Sequence, residues 1–248
     1  MLQRIENRLK DLVIGIMQAF EIPISLVPGW YLNVTAEREC YRPFYEPWRA
    51  DLTFQQAWRR GLTCANSRTA HLLFSLAMMS SGREGEFWEC GVYRGGTAKL
   101  LARARGARDA TLQHRPLRLF DTFSGMPEKR SEADTYEIGS FGDTSLEEVK
   151  LHMAGEAGVE FHPGFIPDTF RGLEEKSIAF AHIDVDQYAT TKACCSFIFP
   201  RLVAGGVMVI DDYGRPGTFG ARLGTDECLS KFGLKPVVLS TGQAMIVR

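Results

Sequence analysis

The sequence predicts an α/β fold with a doubly wound sheet, and three observations carry that expectation. From Glu86 onward, short apolar runs alternate with segments of helical periodicity. The runs are apolar almost throughout, as strands covered on both faces are. Acidic residues fall repeatedly at the ends of these runs, where an open α/β sheet binds its ligands.

The elements follow in order. Residues 1–82 read as a helical N-terminal extension: an amphipathic helix in MLQRIENRLKDLVIGIMQAF, a Pro- and aromatic-rich stretch, and a helix over residues 67–80. Residues 28–58 carry Trp30, Tyr31, Tyr41, Phe44, Tyr45 and Trp48. That stretch reads either as an active-site lid or as a packed extension or subunit contact. Residues 83–248 form the second domain. Its strand candidates are EFWECGV, PLRLFDTF, GVEFHPGF, SIAFAHIDVD, GGVMVIDDY, KPVVLS and QAMIVR, with helices expected at 97–105, 145–155, 188–201 and 218–232. Only Thr241 and Gly242 separate the last two runs at their closest, which is hairpin spacing. The sheet is therefore expected to be mostly parallel and to end in an antiparallel strand.

Composition narrows the function classes. A hydrophobic fraction of 45% and a formal net charge of −1 over 248 residues exclude a disordered chain and a strongly basic nucleic-acid binder. The Arg-rich stretch 103–118 reads as a solvated helix face and loop. No run reaches the length of about 18 apolar residues that a membrane span needs. Cys40, Cys64, Cys90, Cys194, Cys195 and Cys228 show no CxxC spacing, so reduced thiols and a cytoplasmic location are expected.

The chemistry sits at the run ends. E-C-G-V-Y-R-G-G-T after the first run is glycine-rich, but it has neither dinucleotide nor P-loop spacing. Glycines let a ligand approach the backbone, and an acid ending the second run, Asp121, suits the hydroxyls of a nucleoside ribose. A tight strand–helix turn is the alternative for the loop alone. Asp184, Asp211 and Asp212 offer an all-oxygen set that favours a hard cation such as Mg²⁺ over zinc. Asp186 stands two residues after Asp184; it is either a proton acceptor on the same face or the cap of the helix starting near Tyr188. His182 reads as a hydrogen-bonded core residue or, less simply, as a ligand.

Together FWECGVYRGGTAKLLA, LFDTFSGMPE, GSFGDTSLEEVK, PGFIPDTF, HIDVDQYATT and GGVMVIDDYG resemble the macrocin O-methyltransferase-like family, over about residues 86–214. The resemblance implies a class I methyltransferase fold using S-adenosylmethionine and Mg²⁺. It implies cofactor contacts from Glu89, Cys90, Gly91, Val92 and Tyr93, from Asp121, Thr122 and Phe123, and from Asp168 and Thr169. It assigns the metal to Asp184, Asp211 and Asp212 and the base to Asp186. The run Tyr188-Ala189-Thr190-Thr191 departs from the family's usual pattern, and the chain before Glu86 has no residue-by-residue match. The implied activity is O-methylation of a small polyhydroxylated acceptor such as a secondary-metabolite sugar, with no nucleic-acid or membrane partner and the subunit number open between monomer and homo-oligomer. A metal-dependent hydrolase and a non-catalytic cofactor-binding scaffold are the competing readings.

Overall fold

Each apolar run becomes a strand, trimmed to the residues that find a paired neighbour. The computed structural model describes residues 47–59, 61–107, 110–129, 131–215 and 217–248. The first amphipathic helix and the aromatic stretch up to residue 46 lie outside the described residues. Two short helices, α1 (Pro47–Ala50) and α2 (Leu52–Ala57), precede α3 (Ser67–Ser80). The sheet region runs β1 (Glu86–Cys90), α4 (Gly96–Ala104), β2 (Leu117–Asp121), α5 (Leu146–His152), β3 (Val159–Pro163) and β4 (Ile178–Ile183). It continues through α6 (Tyr188–Ile198), β5 (Leu202–Ile210), α7 (Phe219–Ser230), β6 (Val237–Val238) and β7 (Ala244–Val247).

Helix starts follow capping chemistry. Asn66 accepts from the Thr69 N–H at 3.0 Å to open α3, and Ser145 accepts from Glu148 at 3.3 Å to open α5. The strands order as β3-β2-β1-β4-β5-β7-β6, with β1 to β5 parallel and β7 antiparallel to both β5 and β6. The closing hairpin is held by the Leu239 N–H to the Gln243 carbonyl at 2.8 Å, with Gly242 at φ 89°. Strand order reverses between β1 and β4, which makes a crevice there.

Two apolar layers sandwich the sheet, and period-two alternation sorts the residues between them. Phe87, Leu119 and Phe180 face the layer of α3 and α4, with Phe74 and Leu101. Trp88, Phe120 and Ala181 face the opposite layer, with Ile198 and Leu229 of α6 and α7. Among the described residues, no helix is long and apolar enough to cross a membrane.

The Arg-rich stretch departs from its solvated reading. Arg105 is buried and donates to the carbonyls of Arg115 and Gly158 at 2.7 and 3.2 Å, stapling α4 to the approach of β2 and β3. Burial pushes its pKa down to about 10, so it stays charged. Arg118 lies within β2 and grips Glu86 of β1 with two bonds, 2.6 and 3.0 Å, and also pairs with Glu160 of β3. Carbonyls and carboxylates around a buried guanidinium offset its desolvation cost, and composition alone cannot separate such arginines from solvated ones.

Burial works against the Glu86 charge, but hydrogen bonds from Arg118 and Trp88 outweigh it and hold its carboxyl below the ordinary range. A lowered folded pKa stabilises the fold above the unfolded value, and that stability is lost as pH falls through the folded one. Arg118→Leu should therefore cost about 3–5 kcal/mol near pH 7, the range for stripping one partner from a buried pair. The deficit, read by urea unfolding, should shrink in acid as Glu86 becomes neutral. A loss below about 1 kcal/mol at pH 7 would class the pair with solvent-exposed bridges.

Candidate active site

The acid-bearing strand ends of β1, β2, β4 and β5 border one cleft at the carboxyl edge of the sheet. The space between its walls, counted out to the open mouth and including solvent there, is about 1160 Å³. Gly91, Val92, Tyr93, Asp121 and Thr122 line one part of it, and Asp184, Asp186, Asp211 and Asp212 another.

The glycine-rich turn after β1 is built by contact with its neighbour. Gly91 has φ 85°, and a Cβ there would fall 1.8 Å from the main-chain oxygen of Asp184. Only glycine fits. The Asp184 N–H donates to the Cys90 carbonyl at 2.8 Å, so the β1 and β4 ends stay joined beyond the strands. Asp121 clamps the same turn. Its Oδ2 accepts from the Val92 and Tyr93 N–H groups at 2.6 and 3.0 Å, and its Oδ1 accepts from Phe123 N–H at 2.7 Å. A carboxylate offers about four acceptor sites. The Thr122 hydroxyl, 3.4 Å from Oδ1, commits its one proton to the Gly125 carbonyl at 2.7 Å. One site on Asp121 therefore remains for a ligand hydroxyl.

Behind the lining lies a buried charge chain. His182 of β4 is fully buried; its Nδ1 meets Glu89 Oε1 at 2.9 Å, and its Nε2 stands 3.7 Å from Asp211 Oδ1. Burial would lower the imidazole pKa, but the Asp211 and Glu89 carboxylates outweigh it and hold it at about 9, so His182 is a cation. Asp211 is itself held: Gln243 Nε2 donates to it at 2.7 Å, and Arg215 pairs with it at 2.7 Å. Burial opposes its charge, yet His182 and Arg215 keep its carboxyl below the usual range.

The remaining three aspartates converge. Asp184, Asp186 and Asp212 place carboxylate oxygens within 4.8 Å of one another. Burial and then Asp211, Asp212 and Asp186 push Asp184 well up; burial and Asp212 push Asp186 up to about 9; burial and Asp211 raise Asp212. One buried Asp212 oxygen, Oδ2, has no hydrogen-bond donor. An all-oxygen cluster of mutually repelling carboxylates with an orphaned acceptor fits a divalent hard cation.

The route to this convergence differs from strand alternation. β4 stops at Ile183, and Asp186 has φ 57°, so a turn rather than the pleat brings its carboxylate round. Nor is Asp186 the helix cap. Gln187 occupies the N-cap of α6 without a side-chain bond, and the Tyr188 N–H donates to Asp134 at 2.7 Å. Tyr93, Phe123 and Phe141 share the left-handed region with Asp186, at φ 51°, 53° and 59°.

Glu89, Cys90 and Phe123 sit behind the wall, not on it. Asp168 and Thr169 occupy a short 3-10 turn outside the lining; Asp168 is largely exposed beside Arg171, while the Thr169 hydroxyl is buried without a partner. Residues 164–166 just before that turn do line the cleft. Sequence reasoning missed several contributors, among them residues 63–65 ahead of α3, residues 125–127 with Tyr136 and Phe141 after β2, Gln187 and Thr190 at the start of α6, and Arg215. Gly125, Gly139 and Gly142 were the available signal for the second, since glycines at that density mark a loop folded on itself.

The family described as Macrocin-O-methyltransferase (TylF) matches residues 66–222. The 8-demethyl-8-(2,3-dimethoxy-alpha-L-rhamnosyl)-tetracenomycin-C 4'-O-methyltransferase of Streptomyces olivaceus is 29% identical over 147 residues, covering 55% of this chain and 56% of its own. The mycinamicin III 3''-O-methyltransferase of Micromonospora griseorubida is 29% identical over 154 residues, covering 56% and 59%. The chain thus spans a little over half the length of these relatives. The solved structure of the O-methyltransferase NovP superposes with a TM-score of 0.66 at 22% identity, over 75% of this chain and 81% of that one, and shares its fold.

The contact at Gly91 yields a direct test. Gly91→Ala should force the β1 and β4 loops apart, lower the unfolding midpoint and disorder the cleft. Gly139→Ala, where an added Cβ meets nothing within 4 Å although φ is 81°, should cost only about 1 kcal/mol of backbone strain. Equal midpoint losses for the two variants in thermal unfolding would remove the significance given to the Gly91 contact.

Proposed function

The chain belongs to the macrocin O-methyltransferase family, and from that premise we propose that it is an S-adenosylmethionine- and Mg²⁺-dependent O-methyltransferase acting on a hydroxyl of a small polyhydroxylated acceptor. A secondary-metabolite sugar is the acceptor class that the relatives' names favour. A cytoplasmic location belongs to the same proposal and accords with free thiols at Cys90, Cys194, Cys195 and Cys228. One observation carries the reading: a glycine turn clamped by an acid and a convergent carboxylate cluster open onto the same cleft.

Gly91 to Tyr93 and Asp121 would hold the cofactor, whose sulfonium methyl is the electrophile. The Gly91 turn gives the close backbone approach, and the free acceptor site of Asp121 would take one ribose hydroxyl. Glu89 acts through His182 from behind the wall, and Asp168 and Thr169 would act at the adenine side through residues 164–166. Asp184, Asp212 and Asp211 would hold Mg²⁺, which when bound supplies positive charge that acidifies an acceptor hydroxyl. Asp186 would accept the hydroxyl proton at its carboxylate. Apolar residues of the lining, among them Met126 and Ile166, would limit water at the reacting atoms. The position of Asp186 within the converging oxygens favours a second assignment, in which it replaces Asp211 as a ligand.

Asp121→Ala should weaken binding of S-adenosylhomocysteine by about 1.5–3 kcal/mol, the range for hydrogen bonds to a charged group. Calorimetry giving one affinity for both proteins would leave Asp121 as a loop clamp alone, and no binding by the unaltered chain would overturn the methyltransferase reading.

The two aspartates of the β4 loop separate the metal assignments. Asp184→Asn should lose Mg²⁺ affinity and turnover together. Asp186→Asn should retain Mg²⁺ affinity while kcat falls by roughly a hundred- to ten-thousandfold, as for a removed general base. Asparagine tolerates the left-handed backbone there, so the fold should survive. Loss of Mg²⁺ binding in Asp186→Asn would make Asp186 a ligand, and normal turnover would end both roles.

A further inference from the structure

We propose that Tyr136 binds the acceptor, and that the segment between β2 and α5 is the wall on which a hydroxylated ring rests. The proposal rests on the methyltransferase reading above and specifies its acceptor side. Residues 124–145 are anchored at three places. The segment closes on itself through the Met126 N–H to the Ser140 carbonyl at 2.7 Å and the Gly139 N–H to the Met126 carbonyl at 2.9 Å. It is tied to the first loop, where the Tyr93 hydroxyl donates to Asp143 at 2.8 Å and the Thr144 hydroxyl donates to the Tyr93 carbonyl at 2.7 Å. It is tied to the start of α6 by Asp134, which accepts from Tyr188 N–H at 2.7 Å, and by Gln187 Nε2 donating to the Pro127 carbonyl at 3.2 Å. The wall is thus fixed both to the glycine turn and to the carboxylate loop.

Aromatic rings run along it. Tyr136 packs edge-on against Phe141 at 5.0 Å, and Phe141 packs edge-on against Tyr93 at 5.8 Å. Tyr136 lines the cleft, and its hydroxyl has no hydrogen-bond partner among the described residues. Tyr136 shares the cleft lining with Asp186, Asp212 and Arg215, whose charges reach its phenol. An unpartnered phenol held by its ring is equipped to bond a ligand oxygen while the aromatic row covers an apolar ring face. The acceptor of the reading above carries neighbouring hydroxyls on its ring, and the phenol and the carboxylate cluster lie on the same cleft to receive them. A sugar and a catechol share that chemistry.

The test uses the full chain with magnesium chloride and S-adenosylhomocysteine, whose own binding is measured first. Methyl α-L-rhamnopyranoside and 1,2-dihydroxybenzene are then titrated as probes, by calorimetry or ligand-observed NMR. At least one should bind, and the stronger identifies the ring class. Tyr136→Phe, which loses one hydrogen bond, should weaken that probe about three- to tenfold. Tyr136→Ala should weaken it by roughly tenfold or more through the added loss of ring contact. Both variants should keep the affinity for S-adenosylhomocysteine and the unfolding midpoint. Ile138→Ser, at an exposed position two residues on, should change nothing. Unchanged probe affinity in Tyr136→Ala, an equal loss in Ile138→Ser, or no binding of either probe to the loaded chain overturns the proposal. Failure of S-adenosylhomocysteine to bind overturns the underlying reading instead.

Discussion

The contact between Gly91 and the Asp184 carbonyl governs the whole cleft. Parallel strands normally part beyond their last paired residues, here Cys90 and Ile183. In this chain they stay in contact for one residue more, because Gly91 offers no side chain to separate them. The glycine turn and the carboxylate loop are consequently packed directly against one another. Asp121 adds a third strand end to it by holding the Val92 and Tyr93 amides. Distances across the cleft are thereby set by the sheet itself, the stiffest part of the molecule.

A second constraint is electrostatic. Glu89, Asp184, Asp186, Asp211 and Asp212 are gathered around two cations, His182 and Arg215. His182 is enclosed between Glu89 and Asp211, and its charge turns Asp211 towards the sheet and away from the other three. The cluster is left with more negative charge than its own cations neutralise. Buried carboxylates respond to such an excess by keeping protons or by taking up a cation.

Much of this was legible in the sequence, and the gaps have physical causes. Strands of the sheet could be read because burial on both faces demands unbroken apolar runs, and Asp121, Asp184, Asp211 and Asp212 could be placed because strand ends are fixed points. The closing antiparallel hairpin followed from Thr241-Gly242 alone. Arg105 and Arg118 were misjudged because a guanidinium's environment depends on carbonyls and acids distant in sequence. Asp186 reaches the cluster through a left-handed turn, which no period-two pattern announces. Tyr136 and Asp134 were invisible for a similar reason: they sit on an irregular loop whose path is decided by contacts at its two ends. His182 looked like a core histidine, and it is one; its two carboxylate neighbours, 93 positions away and 29 positions on, make it more than that.

The four left-handed side chains, Tyr93, Phe123, Phe141 and Asp186, have a consequence for how the protein would change under selection. Each holds a conformation that an ordinary residue adopts at a cost of about 1–2 kcal/mol, and each sits on or directly behind the cleft. Phe123 is also a buried core residue, but at Tyr93, Phe141 and Asp186 selection for heat resistance alone would find glycine or asparagine attractive, because strain would be relieved there with no core disturbed. The same replacements would strip away an aromatic ring or a carboxylate that shapes the cleft. Thermal fitness and chemical fitness therefore pull apart at three identifiable codons, and a lineage that retains those three side chains has been kept there by its chemistry.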